Sequence, residues 1–196
     1  MNKKPDPTSV DPRRRDFLRQ GLATGLGLAV AGTVGPAAAA QLYRGPRELS
    51  FYHVHTGEKL TVEYWSNGRY LTDSMEEINF LLRDHRSGTI EQMDTGLLDM
   101  LYYLKLRTGP GLRYEVISGY RSASTNHMLR TRDRGGVARK SLHMLGQAID
   151  VRLPGVPLNT LRRVAMQMQN GGVGYYPKSN FLHLDVGRVR NWANLA

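Results

Sequence analysis

Two short segments in the C-terminal half of the chain read as strands that carry ionisable side chains. In Gln147-Ala148-Ile149-Asp150-Val151, strand alternation points Ile149 and Val151 one way and Asp150, with Ala148, the other. In Phe181-Leu182-His183-Leu184-Asp185-Val186 the Leu and Val residues share a face, and Phe181, His183 and Asp185 take the opposite one. If the two strands are neighbours, Asp150, His183 and Asp185 converge on one surface. His143 precedes Asp150 by seven residues, in the segment that enters the first strand. Two histidines and one aspartate suit Zn2+, because three protein ligands leave a fourth position for water. The chain holds six His and ten Asp in 196 residues, so a His-x6-Asp spacing arises by chance roughly 0.3 times. On spacing alone these residues are either a metal set or hydrogen-bonded structural groups.

The elements that must position them follow from periodicity. Residues 48 to 65 read as a hairpin: Leu49, Phe51, His53 and His55 alternate with polar or smaller partners, Thr56-Gly57 turns the chain, and Leu60, Val62 and Tyr64 return. Ser74-Met75-Glu76-Glu77 has the spacing of a capping box. It predicts a helix starting there, with Met75, Ile78, Leu81, Leu82 and His85 on one stripe, ending before Ser87-Gly88. A second helix is expected over Asp94 to Lys105, where Leu97, Leu98, Leu101 and Leu104 share a face. Then come a strand over 114–118, a polar helix over 124–132, a basic loop from Arg132 to Lys140, and a strand over 146–153. A helix over 158–168 and strands over 172–176 and 181–186 complete the chain. Helices come early and strands late, without regular βαβ alternation. This predicts an α+β fold with a mainly antiparallel sheet flanked by helices.

Composition narrows the chemistry. The absence of Cys excludes disulfides, Cys-ligated zinc, iron–sulfur clusters and a thiol nucleophile. Lys and Arg number 27 against 17 Asp and Glu, a net charge of +10, which suits a polyanionic partner or a soluble basic surface. The N-terminal forty residues differ from the rest. Arg13-Arg14-Arg15-Asp16-Phe17-Leu18-Arg19 has the pattern of a twin-arginine signal, an uncharged Gly/Ala stretch follows over 21–40, and Ala38-Ala39-Ala40 supplies small residues for cleavage. Residues 1–40 are therefore expected to be an export signal and residues 41–196 the working domain. After cleavage no stable membrane span is expected, and the compartment is expected to be the periplasm.

Three groups of residues together resemble a known family: Ser118-Gly119-Tyr120-Arg121-Ser122; Ser141-x-His143-x-x-Gly146-x-Ala148-x-Asp150; and Phe181-Leu182-His183-Leu184-Asp185. They are similar to the zinc peptidases related to D-Ala-D-Ala carboxypeptidases, lysostaphin-type enzymes and hedgehog domains, and within that group to the murein endopeptidase K-like family. Gly171 to Pro177, Asn79 to Asp84 and the His55-Thr56-Gly57-Glu58 turn extend the resemblance over essentially all of residues 41–196. The resemblance implies a hedgehog/D-Ala-D-Ala-peptidase-like fold, with His143, Asp150 and His183 as zinc ligands. It also implies that Arg121 is a fixed cation for a substrate carboxylate or the scissile carbonyl. Many relatives carry Glu three residues before the last ligand, and here that position is Asn180, which cannot take a proton. Asp185 is the candidate base, or the partner that orients His183.

The expected function is a periplasmic zinc endopeptidase that hydrolyses peptidoglycan stem-peptide cross-links. The alternative is a non-catalytic zinc- or peptidoglycan-binding module, which the missing Glu at Asn180 and the basic surface would suit. No nucleic-acid-binding motif is present, so nucleic acid is not an expected partner. His53, His55 and His85 lie far from the motifs and read as hairpin and helix residues, and His127 as a polar helix residue. Trp65, Tyr175 and Tyr176 could stack on a glycan or peptide, or pack in the sheet.

Overall fold

The computed structural model describes residues 45–132 and 137–195. The expected export signal and the middle of the basic loop lie outside them. Among the described residues the chain forms one eight-stranded sheet, four α-helices and a 3-10 turn. The strands are β1 (Arg47–His53), β2 (Lys59–Ser66), β3 (Arg69–Tyr70), β4 (Tyr114–Ser118), β5 (Ala148–Arg152), β6 (Gly172–Tyr176), β7 (Phe181–Asp185) and β8 (Arg190–Ala193). They stand in the order β3-β2-β1-β4-β5-β7-β6-β8. Pairing is antiparallel except for β1 with β4 and β6 with β8. The expected α+β class with a mainly antiparallel sheet is what the chain adopts.

The helices are α1 (Thr72–Leu81), α2 (Thr95–Thr108), α3 (Ala123–Arg132) and α4 (Leu158–Met168). The apolar stripes of α1, α2 and α4 meet one face of the sheet. Met75, Ile78 and Leu81 of α1, Leu97, Leu98, Leu101 and Leu104 of α2, and Leu161, Ala165 and Met168 of α4 join one core with Phe51, Val116, Ile149, Val151, Leu182 and Leu184. Period-2 alternation therefore leaves the opposite face of β5 and β7 to Asp150 and His183. No helix among the described residues is long and apolar enough to cross a membrane.

Two expectations about elements need correction. The first helix begins at Thr72, with Leu71 at the N-cap and no side-chain cap, so Ser74 sits in its first turn. The turn after β3 sets that start: Leu71 N–H donates to the Tyr64 carbonyl at 3.0 Å, and Met75 N–H to the Leu71 carbonyl at 3.0 Å. His85 lies beyond the helix end. Strand β8 was not expected; it is a short edge strand following the Gly187 turn, without an alternating apolar run.

His53, His55 and His85 come together where β1, its turn and the segment after α1 meet. The rings of His55 and His85 stack 4.3 Å apart, and His53 approaches His85 edge-on at 5.4 Å. His53 is fully buried, and its Nε2 has no hydrogen-bond partner among the described residues. Burial, then the neighbouring His55 charge, lowers His53 to about 4, against a smaller opposing pull from Glu58. Burial, then Arg86 and His55, lowers His85 to about 4. An unfolded histidine titrates near ~6.5, so the unfolded chain takes up protons first as pH falls. The contribution of these two histidines to stability is complete above about pH 6.5 and is lost progressively down to about pH 4, where the folded histidines also protonate. Urea midpoints measured from pH 7 to 4 are expected to decline through this window, and a His53→Asn/His85→Asn variant to show a flatter profile.

Candidate active site

Register across the sheet brings the chemistry into one row. Ser118 pairs with Asp150, Asp150 with His183, His183 with Gly174, and Gly174 with Trp192, across β4, β5, β7, β6 and β8. Directly paired residues point to the same side of a sheet, so one face collects them. A register shift between Val116 and Ser118 lets Val116 stay opposite the core residue Val151 while Ser118 moves opposite Asp150. His143 enters from the 3-10 turn Leu142–Leu145, which Ser141 caps and which ends at Gly146 in a left-handed conformation, φ 65°. A side chain at 146 would run into the Gln92 carbonyl, so glycine meets both the backbone and the space requirement there.

Three ligand atoms meet at the centre. His183 Nδ1 lies 2.9 Å from Asp150 Oδ1, His143 Nε2 lies 3.3 Å from the same oxygen, and the two ring nitrogens are 3.1 Å apart. Ligands at about 2.0–2.2 Å from a tetrahedral ion stand roughly 3.3–3.6 Å from one another. The triangle needs only a few tenths of an ångström of expansion to fit such an ion. The outer ring nitrogens are anchored elsewhere: His143 Nδ1 lies 2.7 Å from the Gly119 carbonyl, and His183 Nε2 lies 3.0 Å from Asp185 Oδ2. Each anchor accepts the outer N–H, so that the neutral ring, the form that binds a metal, turns its lone pair to the centre. The donor set and its geometry fit a divalent ion such as Zn2+.

Electrostatics follow burial and partners. Asp150 is held well below the usual carboxylate range; burial opposes its charge, and His143 and His183 override that opposition. Burial lowers His143, with Asp150 pulling the other way. Burial also works against a charged His183, but hydrogen bonds and charge from Asp150 and Asp185 raise it to about 9. Arg121 reaches Asp150 Oδ2 with Nη2 at 3.5 Å and Ser118 Oγ at 3.4 Å, and its backbone N–H donates to the His143 carbonyl at 3.1 Å. Asp84, almost fully buried, accepts from Ser122 N–H at 2.9 Å and Arg86 N–H at 2.9 Å, fastening the Arg121 segment to the end of α1.

The comparisons with known proteins point the same way as this geometry. The profile of the family described as peptidoglycan L,D-endopeptidase MepK matches residues 41–192. The chain belongs to that family. It is 42% identical over 182 residues to the peptidoglycan L,D-endopeptidases MepK of Escherichia coli and Shigella flexneri, covering 93% of this chain and 98% of each relative. It is 40% identical over 186 residues to the probable peptidoglycan L,D-endopeptidase MepK of Haemophilus influenzae, covering 93% of this chain and 97% of that protein.

In this MepK-family chain the sheet brings His143, Asp150, His183 and Arg121 together, and it places Asp185 on the other side of the His183 ring. Asp185 is fully buried. One oxygen accepts from Gly172 N–H, Gly187 N–H and Arg190 Nη1 at 3.2, 2.8 and 2.9 Å; the other accepts from Arg190 Nη2 at 2.7 Å and faces His183 Nε2. Burial resists its ionisation, and the His183 and Arg190 hydrogen bonds nonetheless hold it well below the usual carboxylate range. Asn180 is an exposed turn residue with φ 52°, its N–H bonded to the Pro177 carbonyl, a backbone conformation Asn tolerates better than most residues. His127 is exposed on α3.

The sequence reading missed Arg190 and Trp192, which reach β7 over two glycines of β6. A Cβ at Gly172 would run into Asp185 and the Arg190 guanidinium, and one at Gly174 into the Trp192 ring and His183 Cβ. The alternation Gly172-x-Gly174, followed by Arg190-x-Trp192, was the signal available. Arg190→Ala would strip a fully buried carboxylate of its only guanidinium partner among the described residues. Three hydrogen-bonding groups remain and Arg190 is itself partly exposed, so the expected loss is about 2–3 kcal/mol, at the low end for a broken buried pair. Urea unfolding of the metal-free protein measures it, and Arg190→Lys should recover only part because it cannot form the two-pronged contact.

Proposed function

We propose that this chain is a periplasmic zinc-dependent murein endopeptidase that hydrolyses the peptide cross-links of peptidoglycan. The observation that carries the reading is the convergence of His143 Nε2, Asp150 Oδ1 and His183 Nδ1, with Arg121 beside them, in a chain of the MepK family. The name of the relatives, L,D-endopeptidase, suggests a bond between an L- and a D-configured centre as the target. Export by a twin-arginine signal in residues 1–40 would deliver the enzyme to the compartment that holds this substrate.

Each residue has a distinct task in this reading. His143, Asp150 and His183 hold the ion. A bound Zn2+ supplies Lewis-acid polarisation of the scissile carbonyl and a water acidic enough to attack near neutral pH. Arg121 stays charged and presents its guanidinium to the carbonyl oxygen as negative charge develops there, or to a substrate carboxylate. Ser118 and the His143 carbonyl hold Arg121 in place. Asp185 orients His183 through Nε2; with its oxygens taken by Arg190, Gly172 and Gly187 it holds the ring rather than carrying protons.

The test is digestion of isolated peptidoglycan by the purified protein, with and without a chelator, read as released muropeptides by mass spectrometry. Chelator-sensitive loss of cross-linked dimers is the expected result, and the product masses identify the bond. His143→Ala and Asp150→Ala are expected to lose bound zinc and turnover while remaining folded. Arg121→Ala is expected to keep zinc and lose about 100-fold in kcat/KM, the scale of one lost oxyanion donor. Turnover by a zinc-free His143→Ala protein would falsify the mechanism. Intact cross-links in the presence of folded, zinc-loaded wild-type protein would favour a binding module.

A further inference from the structure

Strand β8 sets an indole against the ligand triangle. The Trp192 ring lies 5.3 Å from the His183 ring, over the gap that Gly174 leaves. Trp192 Nε1–H does not point to the ligands. It donates to Tyr176 Oη at 3.0 Å. Tyr176 pairs with Phe181 at the end of β6, two residues beyond Gly174, so it rises from the face that carries His183. Its ring stacks on Phe181 at 4.6 Å and 13°, while the residue stays partly open to solvent. Its hydroxyl is within electrostatic range of the Arg121 guanidinium.

These contacts leave the hydroxyl proton available to donate. A phenol has one O–H to donate and two lone pairs to accept with. The indole N–H occupies a lone pair, and among the described residues no acceptor takes the O–H. A partly exposed hydroxyl on the sheet face that carries His183, with its proton uncommitted, is suited to donate to an oxygen that gains charge. We propose that the Tyr176 hydroxyl donates a hydrogen bond to the scissile carbonyl oxygen as the carbonyl carbon becomes tetrahedral and the oxygen gains charge, sharing that charge with Arg121, and that Trp192 is the positioning residue that holds the hydroxyl in place. No proton passes from the tyrosine to the carbonyl oxygen: the carbonyl π pair moves onto oxygen as the nucleophile, a hydroxide already formed by loss of a water proton to solvent, bonds to carbon, and both donors gain strength as the charge grows. The assignment rests on the peptidase reading above and adds to it a residue that acts on the transition state.

The test compares wild type, Tyr176→Phe and Trp192→Phe as full chains. Tyr176→Phe keeps the stack on Phe181 and removes only the hydroxyl; Trp192→Phe keeps an aromatic ring and removes the donor. kcat and KM are measured on a purified cross-linked muropeptide dimer. Binding of a phosphinate analogue of the cross-link, a tetrahedral anion, is measured by calorimetry beside the product peptide, with zinc content and thermal midpoint as controls. Tyr176→Phe is expected to lower kcat roughly 100-fold and weaken the phosphinate by a similar factor, leaving KM, product affinity, zinc content and midpoint near wild type. Trp192→Phe is expected to show a smaller loss of the same kind, roughly 10-fold. Wild-type kcat and phosphinate affinity in Tyr176→Phe, or a loss confined to KM or to the thermal midpoint, overturns the assignment alone. Absence of turnover by zinc-loaded wild type overturns the peptidase reading and this assignment with it.

Discussion

A carboxylate held in a protein interior needs partners, because burying an ionised group unpaired is far more costly than burying an apolar one. Asp150 is 6% exposed, at the centre of the sheet, and much of the neighbouring structure answers that requirement. Its Oδ1 faces His143 and His183, and its Oδ2 faces Arg121. Those partners are themselves buried or nearly so and need fixing in turn. His143 is tied to the Gly119 carbonyl, His183 to Asp185, and Asp185 to Arg190. One buried charge thus propagates constraints through β4, β5, β7, β6 and β8 to the edge of the sheet.

The sheet satisfies these constraints with little reliance on long loops. Asp150 and His183 are direct register partners on antiparallel strands, so ordinary ladder hydrogen bonds place their side chains. Only His143 and Arg121 come from connecting segments, and both segments are fastened: the first by the Ser141 cap and the Gly146 approach to Gln92, the second by Asp84. A site held mostly by strands changes little in shape while a ligand binds, which suits a centre that must stabilise a transition state.

How much of this could be read from sequence follows from where each signal resides. Alternation in Ala148–Val151 and Phe181–Asp185 revealed the face of Asp150 and His183, because period 2 is a local property. The leucine stripe of α2 was equally local. The start of α1 was not, since Leu71 is fixed by a hydrogen bond to Tyr64 of β2 and not by the Ser74 side chain. Strand β8 escaped for a similar reason: four residues at a parallel edge, with Arg190 and Trp192 serving β7, carry no apolar pattern of their own. The His53, His55 and His85 cluster joins β1, its turn and the segment after α1, so only the tertiary fold could reveal it.

The two aspartates on the site face show why residue type and face do not settle a role. Both share the His183 side of the sheet; on sequence Asp150 was a candidate metal ligand and Asp185 the candidate base or the partner that orients His183. Asp185 accepts from two backbone N–H groups and both prongs of Arg190, and its remaining contact is His183 Nε2. A carboxylate so fully engaged is stabilised as an anion, which suits it to the orienting role proposed above. Asp150 has a single guanidinium contact at 3.5 Å and turns its other oxygen to the point where His143 Nε2 and His183 Nδ1 meet. Environment divides the labour between the two carboxylates. In the proposed mechanism, stabilisation of charge on a reacting oxygen then falls to donors, Arg121 and the Tyr176 O–H; Arg121 is fixed by two of the ligand residues, Asp150 and His143, and the Tyr176 hydroxyl by Trp192.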